Sequence, residues 1–287
     1  MPPLIRTLLA EALGTFILIV FGCGAVHAAV LTGAQSGLWQ VAIVWGMGVA
    51  LAAYSVGGVS GAHINPAMTI ALAIWRKFPW NLVGPYIAVQ LIGAFLAAAF
   101  LYSIYSPSID RKHDLMGVKK GDLGSIVTAS CYGEFYPAPG GALTAEGKWS
   151  EPEWQVFQAR AGFKEAFIAE VICTAILALV VFAVTDPKNA AAPAGFLAPL
   201  VVGLTVAALI SIIAPLTQCC LNPARDFGPR LFTFLAGWGT AALPGPNGYE
   251  GVIGVYIVAP ILGAALGGGI YERLVAPAFA SRSPIES

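Results

Sequence analysis

Six long apolar segments divide the chain, and each approaches the ~20 residues that a helix needs to cross a bilayer. They lie at about Leu4–Val30, Trp39–Val56, Leu82–Tyr105, Glu165–Val184, Phe196–Ile213 and Val252–Ile270. Two shorter apolar runs, Pro66–Trp75 and Pro223–Leu235, follow the second and fifth segments. At ~1.5 Å per residue, each run can cross about half of a ~30 Å hydrocarbon layer. The pattern predicts an all-α membrane protein with six transmembrane helices and two re-entrant half-helices.

The chain repeats this pattern in two halves. Glu11 recurs as Glu170 after 159 residues, an Asn-Pro-Ala triplet recurs after 157, and Tyr86 recurs as Tyr256 after 170. Each half contains three spans, so the second half enters the membrane from the opposite side, as in inverted repeats that place their site at the midplane. We expect one domain over residues 1–287, built from a first repeat (1–105), an outer loop (106–160) and a second repeat (161–287).

The two triplets stand at the start of the two short runs. Asn is a favoured helix N-cap, and Pro suits the first helical position. Two facing helix N-termini carry partial positive charge and unpaired N–H donors, which attract dipolar oxygen and repel cations. The sequence therefore predicts a pore centre formed by Asn65, Pro66, Ala67, Asn222, Pro223 and Ala224.

Composition supports a membrane protein, because 57% of the residues are hydrophobic and only 10% are charged, against roughly 25% charged in soluble domains. The formal net charge is zero, so no nucleic-acid partner is expected. The five Cys residues form no disulfide or metal-binding pattern. Since no catalytic constellation appears either, we expect no enzyme activity, no metal and no cofactor.

Basic residues in the short loops predict the orientation. One side carries Arg6, Arg76, Lys77 and Lys188, with Arg273 and Arg282 after the last span. The first loop on the other side, Leu31–Leu38, has none. Both termini are expected in the cytoplasm, in a plasma membrane or a bacterial inner membrane.

Glu11 and Glu170 are acids within spans, and an intramembrane acid is a candidate for a proton relay. A re-entrant loop, however, has backbone N–H groups that need acceptors inside the membrane. We expect the two structural carboxylates to brace the two loops.

The chain resembles the major intrinsic proteins, the aquaporins and glycerol facilitators, over nearly its whole length. The resemblance rests on Ser60–Ala67, on Asn222–Arg225 and on the Ala-Glu-x-x-x-Thr openings around Glu11 and Glu170. It implies an aquaporin-like channel with one pore in each subunit of a homotetramer. Glycerol, water and other small neutral solutes would cross the lipid bilayer through these pores.

Within this family the chain is similar to the glycerol-conducting branch, whose signature matches Asp226, Arg230, Pro260 and Ile261. The resemblance places the selectivity filter at Trp45, Ile210, Cys219 and Arg225. Ile210 and Cys219 depart from the Gly and Phe of a typical bacterial glycerol facilitator. The stretch Glu134–Pro139 resembles an outer-loop segment that dips toward the vestibule.

The chemistry of these residues suits a polyol, which has hydroxyl groups along one edge and CH groups along the other. Arg225 offers up to five fixed donors, and Trp45 offers an apolar wall. The positive charge of Arg225 should repel cations. An extended re-entrant segment would alternate its side chains, so that only one of Cys219 and Cys220 faces the pore, and the resemblance implies that it is Cys219.

Two other functions stay open from the sequence. One is a water-selective channel. The other is an ion-coupled secondary transporter, because carriers also use inverted repeats and broken helices.

Overall fold

The chain folds almost entirely into helices in the computed structural model, which describes residues 1–35 and 37–280. Arg282, which contributed to the predicted orientation, lies outside the described residues. No β-strand forms within the described ranges. The α-helices are α1 Pro3–His27, α2 Leu38–Ser60, α3 Pro66–Trp75, α4 Trp80–Met116, α5 Ile126–Ala129, α6 Glu151–Gln158, α7 Phe163–Val184, α8 Ala198–Thr217, α9 Pro223–Thr233, α10 Gly248–Glu250, α11 Ala259–Ile270 and α12 Pro277–Ala280.

Six helical stretches within the described residues are long and apolar enough to cross a membrane. They are Pro3–Thr32, Leu38–Ser60, Trp80–Met116, Phe163–Val184, Gly195–Thr217 and Gly248–Phe279. Each contains one of the six predicted apolar segments, and π-helical turns extend α1 and join α10, α11 and α12 into one span. The predicted all-α fold with six spans is confirmed.

The third span is longer than its apolar segment. The predicted segment ends at Tyr105, but α4 continues through Pro107 to Met116, where Gly117 caps it with a φ of 71°. The final turns carry polar residues and include a proline, which usually kinks or ends a helix, so the sequence pattern does not reveal them. Residues 106–116 therefore form helix rather than the start of a loop.

The two short apolar runs form the helices α3 and α9. Both begin at the proline of the triplet, with Asn65 and Asn222 as N-caps, as the capping chemistry predicts. Helix α3 has the predicted bounds, whereas α9 ends at Thr233 and continues as a π-turn, Phe234–Trp238. Gly237 has a φ of 106° in this turn, a conformation that favours glycine and breaks the helical backbone after Leu235.

The halves interlock through the short helices. Helix α3 packs against α11 of the other half, and α9 packs against α4. The halves also meet where α2 crosses α8, at Gly46 and Gly203. A Cβ on either glycine would lie 2.3 Å from the carbonyl oxygen of the other, so only glycine permits this approach. Such small-residue contacts are typical of helix packing in lipid.

Candidate solute pathway

A cavity of about 380 Å³ runs between the two halves. One end is lined by Thr185, Ala198 and Pro199, and the other by all four residues of the expected filter: Trp45, Ile210, Cys219 and Arg225. The wall between them is mostly aliphatic, and both re-entrant loops contribute to it. Of the six residues predicted to form the pore centre, Asn65 and Asn222 line this cavity together with the four filter residues. Pro66, Ala67, Pro223 and Ala224 do not line it.

The triplets meet in the middle of this pathway, and each one hydrogen-bonds the opposite loop. The Asn65 Nδ2 group donates to the Leu221 carbonyl oxygen at 2.9 Å, and the Asn222 Nδ2 group donates to the Ile64 carbonyl oxygen at 2.7 Å. Each Oδ1 atom accepts from the second helical residue, Ala67 N at 2.8 Å or Ala224 N at 3.0 Å. Since a primary amide has two N–H groups, each asparagine has a second N–H group that takes no part in these bonds.

The loops that lead into the triplets are not extended, contrary to our expectation. The backbone φ is positive at three equivalent positions in each half. The positions are Gly61, Ala62 and Ile64 in the first loop and Gln218, Cys219 and Leu221 in the second, with φ between 42° and 82°. A left-handed residue other than glycine costs roughly 1–3 kcal/mol and persists only when its surroundings hold it.

Glu11 and Glu170 provide such support, since both are fully buried and contact the loops. Glu170 accepts hydrogen bonds from the backbone N–H groups of Cys220 and Leu221, each at 2.9 Å, and from the Thr217 hydroxyl at 2.6 Å. Glu11 accepts from the backbone N–H of Ile64 and from the side-chain amide of Gln90. These are the contacts that a bracing role requires.

In the filter, Arg225 and Trp45 touch each other. The guanidinium carbon lies 4.1 Å from the centre of the indole ring, a cation–π contact that leaves no space for a solute between them. Arg225 and Trp45 therefore do not form two opposed walls, contrary to the arrangement expected for a polyol; Ile210 and Cys219 also line the cavity.

Glu134 begins the stretch that resembles an outer-loop segment near the vestibule, but the sequence assigned this residue no role of its own. Its carboxylate forms an ion pair with the Arg225 guanidinium, and both side chains are buried. The charge that was expected to repel cations is therefore compensated in the folded protein. The sequence feature that could have identified Glu134 is that it is the one acid in an otherwise apolar stretch of the outer loop, Cys131–Tyr136.

Asp226 and Arg230 do not line the cavity but hold this loop in place. Asp226 accepts from the backbone N–H of Glu134 at 2.6 Å and pairs with Arg230 at 2.8 Å. Arg230 also donates to the carbonyl oxygens of Glu134 and Ala242. Asp226 and Arg230 thus hold the outer loop at the residue that pairs with Arg225.

Pro260 and Ile261 lie away from the cavity. Both belong to α11; Pro260 is buried, and Ile261 packs on the apolar cluster between α11 and α3. Within the described residues, no group of three or more His, Cys, Asp or Glu side chains is arranged to hold a metal ion.

At the other end of the cavity, the loop after α7 is anchored by Asp186. Its carboxylate accepts from the backbone N–H of Lys188 and from the Tyr271 hydroxyl, each at 2.9 Å. Burial alone would raise the pKa of Asp186, but these hydrogen bonds and the nearby charges of Arg76 and Lys188 outweigh it and hold the pKa below its ordinary value. The carboxylate is therefore charged at neutral pH and fixes the loop beside Thr185.

Cys219 and Cys220 point into different surroundings. The Cys220 thiol lies 3.3 Å from the Asn222 carbonyl oxygen and 3.7 Å from that of Tyr256. Cys219 belongs to the cluster that contains Trp45 and Ile210. Both residues line the cavity, so the cavity wall does not separate them as the sequence predicts, although the contacts of their thiols differ.

We expect a thiol-specific mercurial to block flux through Cys219, because a bulky adduct there would fill the filter. Cys219→Ser should abolish the block in stopped-flow measurements, and the adjacent control Cys220→Ser should keep it. Block that persists in Cys219→Ser and vanishes in Cys220→Ser would mean that the filter assignment is displaced by one residue.

Comparison with known proteins gives consistent matches. A family model described as Major intrinsic protein matches residues 1–271. The glycerol uptake facilitator protein of Pseudomonas aeruginosa is 43% identical over 275 residues, which cover 96% of this chain and 90% of the relative. A propanediol uptake facilitator of Citrobacter freundii is 40% identical over 267 residues, covering 93% of this chain and 91% of the relative. The structure of the aquaglyceroporin from Plasmodium falciparum shares the fold, with a TM-score of 0.79 at 24% identity over 96% of this chain and 98% of that one.

Proposed function

The chain belongs to the major intrinsic protein family, and from that premise we propose that it is a passive channel that conducts glycerol and water across a cell membrane. The observation that carries this proposal is the similarity to glycerol uptake facilitators, at 43% and 41% identity over more than nine-tenths of the chain. The continuous cavity that ends at the filter residues gives the conclusion a physical basis. The protein is not an enzyme.

The proposed filter consists of Trp45, Ile210, Cys219 and Arg225, and its chemistry fits a polyol. Removing water from a hydroxyl group without replacement costs roughly 2–7 kcal/mol. Arg225 supplies donors that replace this water, while Ile210 contacts the CH edge. Because Cys219 is much smaller than an aromatic side chain, we infer that polyols branched or longer than glycerol also pass.

Exclusion of ions rests on the pore centre. The N-termini of α3 and α9 direct partial positive charge toward the midplane, and the free N–H groups of Asn65 and Asn222 orient the oxygen of a solute. A cation would lose its water and find no compensating charge there. With Arg225 paired to Glu134, we assign the central site a larger share of the exclusion than the filter.

The remaining architecture follows the family. We propose a homotetramer with one pore per subunit, both termini in the cytoplasm, and the two repeats 1–105 and 161–287 joined by the outer loop 106–160. The basic residues near Arg6, Arg76 and Lys188 support this orientation. Other small neutral solutes are expected to pass as well.

Purified protein in liposomes should accelerate both glycerol and water flux with a low activation energy, as measured by stopped-flow light scattering. Among the residues that line the cavity, Arg225 is the one with a formal charge, so flux should not depend on an ion gradient. Water flux without glycerol flux would identify a water-selective channel. Uptake driven by a proton gradient would identify the carrier instead.

A further inference from the structure

Gly22 is the point at which α1 touches the indole ring of Trp45. A Cβ atom on Gly22 would lie 2.1 Å from Cε3 and from Cζ3 of that ring, and 2.3 Å from Cδ2. Because carbon atoms in contact stay about 3.5–4.0 Å apart, any other residue at this position would displace the ring by more than ~1 Å. The glycine therefore forms a notch in α1 that receives the six-membered ring of the indole.

The space beside Gly22 differs from that beside another glycine of the same helix interface. At Gly48, a Cβ atom would lie 2.9 Å from the Phe21 Cβ and 3.3 Å from the Leu18 carbonyl oxygen, so this glycine permits two helices to approach. At Gly22, the three nearest atoms all belong to the Trp45 side chain. Glycine also disfavours a helix interior relative to alanine, so helix formation does not account for it. The space at Gly22 is used by one filter side chain.

A displaced Trp45 ring would move toward the solute pathway. Trp45 lines the cavity, whereas Gly22 does not. Close-packed side chains leave few voids elsewhere, so the cavity is the space into which the ring would shift. Arg225 offers no room, because its guanidinium carbon lies 4.1 Å from the centre of the ring and its ion pair with Glu134 holds it in place.

We propose that Gly22 is a positioning residue that sets the width of the solute pathway at Trp45. This inference rests on the proposed function as a glycerol channel. With glycine at position 22, the indole lies back against α1 and leaves a passage wide enough for a polyol. A methyl group at the same position would push the ring into the passage. Since glycerol has a larger cross-section than water, this narrowing raises the barrier for glycerol more than the barrier for water.

The test measures the glycerol and water permeabilities of proteoliposomes by stopped-flow light scattering, normalised to folded protein. Gly22→Ala adds the methyl group, and Trp45→Phe in the same chain removes the fused ring that the methyl group would strike. Trp45→Phe alone is the reference for the double variant. Gly24→Ala is the matched control, because it changes the same helix two positions away and its Cβ atom would lie 3.5 Å from Leu101, an ordinary contact distance.

We expect Gly22→Ala to lower the ratio of glycerol to water permeability about tenfold, which corresponds to ~1.4 kcal/mol of barrier. The ratio of the double variant should match that of Trp45→Phe, and the ratio of Gly24→Ala should match the wild type. A role in helix packing alone would lower the yield of folded protein and leave the ratio unchanged. An unchanged ratio in Gly22→Ala would overturn the proposal, as would an equal fall when Gly22→Ala is added to Trp45→Phe.

Should Gly22→Ala not fold, the double variant decides the question. It should fold and conduct with the ratio of Trp45→Phe, because the methyl group then occupies the volume that the fused ring leaves. A double variant that also fails to fold, or whose ratio lies well below that of Trp45→Phe, would show that Gly22 makes room for something other than the Trp45 ring. Wild-type vesicles without glycerol flux would refute the proposed function instead, so the two failures are distinguishable.

Discussion

Replacing Arg225 with valine should open a cation leak, and adding Glu134→Gln to the same chain should remove most of it. In the wild type the two buried charges compensate each other. Removing one partner of a buried pair leaves an isolated charge, which typically costs about 3–5 kcal/mol. The carboxylate in Arg225→Val would recover part of this cost by attracting a cation or a proton into the filter.

The leak should exceed the wild-type conductance by about tenfold or more, which corresponds to ~1.4 kcal/mol of barrier. Ion conductance of planar bilayers and the decay of a proton gradient in vesicles both measure it. Arg160→Val, at an exposed arginine of the outer loop, controls for a change in overall charge. If Arg225→Val alone shows no cation leak, the half-helices account for all of the ion exclusion. If the double variant leaks as much as Arg225→Val, Glu134 does not contribute to the leak.

Glu170→Gln should sharply lower the yield and thermal stability of the protein. The carboxylate accepts three hydrogen bonds, whereas an amide would turn an N–H group toward a backbone N–H of the loop. The unpaired donors should lower the free energy of unfolding by about 3 kcal/mol. This is a large share of the roughly 5–15 kcal/mol free energy of unfolding of an ordinary protein. Size-exclusion chromatography of heated detergent extracts measures the loss, and flux per folded molecule should stay near the wild-type value.

Glu165→Gln is the matched control, because Glu165 is exposed in the first turn of the same helix. It should keep the wild-type stability. The proton-relay alternative makes the opposite prediction, namely that Glu170→Gln folds normally and loses only the pH dependence of its flux. Glu11→Gln should resemble Glu170→Gln, because Glu11 contacts the first loop.

The parts of the structure that depend on local chemistry were predictable from the sequence. The spans follow from hydrophobic length, and the starts of α3 and α9 follow from the capping preference of asparagine and the fixed φ of proline. The filter residues came from the resemblance to a family, and the structure brings all four to one end of the cavity. Their roles in selection remain predictions.

The contacts of the outer loop were not predictable in this way. Glu134 and Asp226 are 92 positions apart, and no pattern of hydrophobicity records which acid of a polar loop returns to the filter. The sequence also gave no sign of the left-handed backbone before each triplet, because Ala62, Ile64 and Leu221 are residue types that seldom adopt a positive φ. Tertiary contacts, such as those from Glu170, impose that conformation.

Asn65 and Asn222 each donate a hydrogen bond to the opposite loop, and these bonds constrain the order in which the protein assembles during synthesis. Asn65 donates to a carbonyl oxygen 156 positions later in the chain, so this bond cannot form while the ribosome is still translating the first half. Until then the first re-entrant loop must lie in the bilayer or in the insertion machinery. There the Asn65 amide lacks this hydrogen bond, and α3 lacks its packing partner α11. Channel assembly is therefore a late event in biogenesis, and a chain released early would expose a polar loop to lipid, a signal that membrane quality control can recognise.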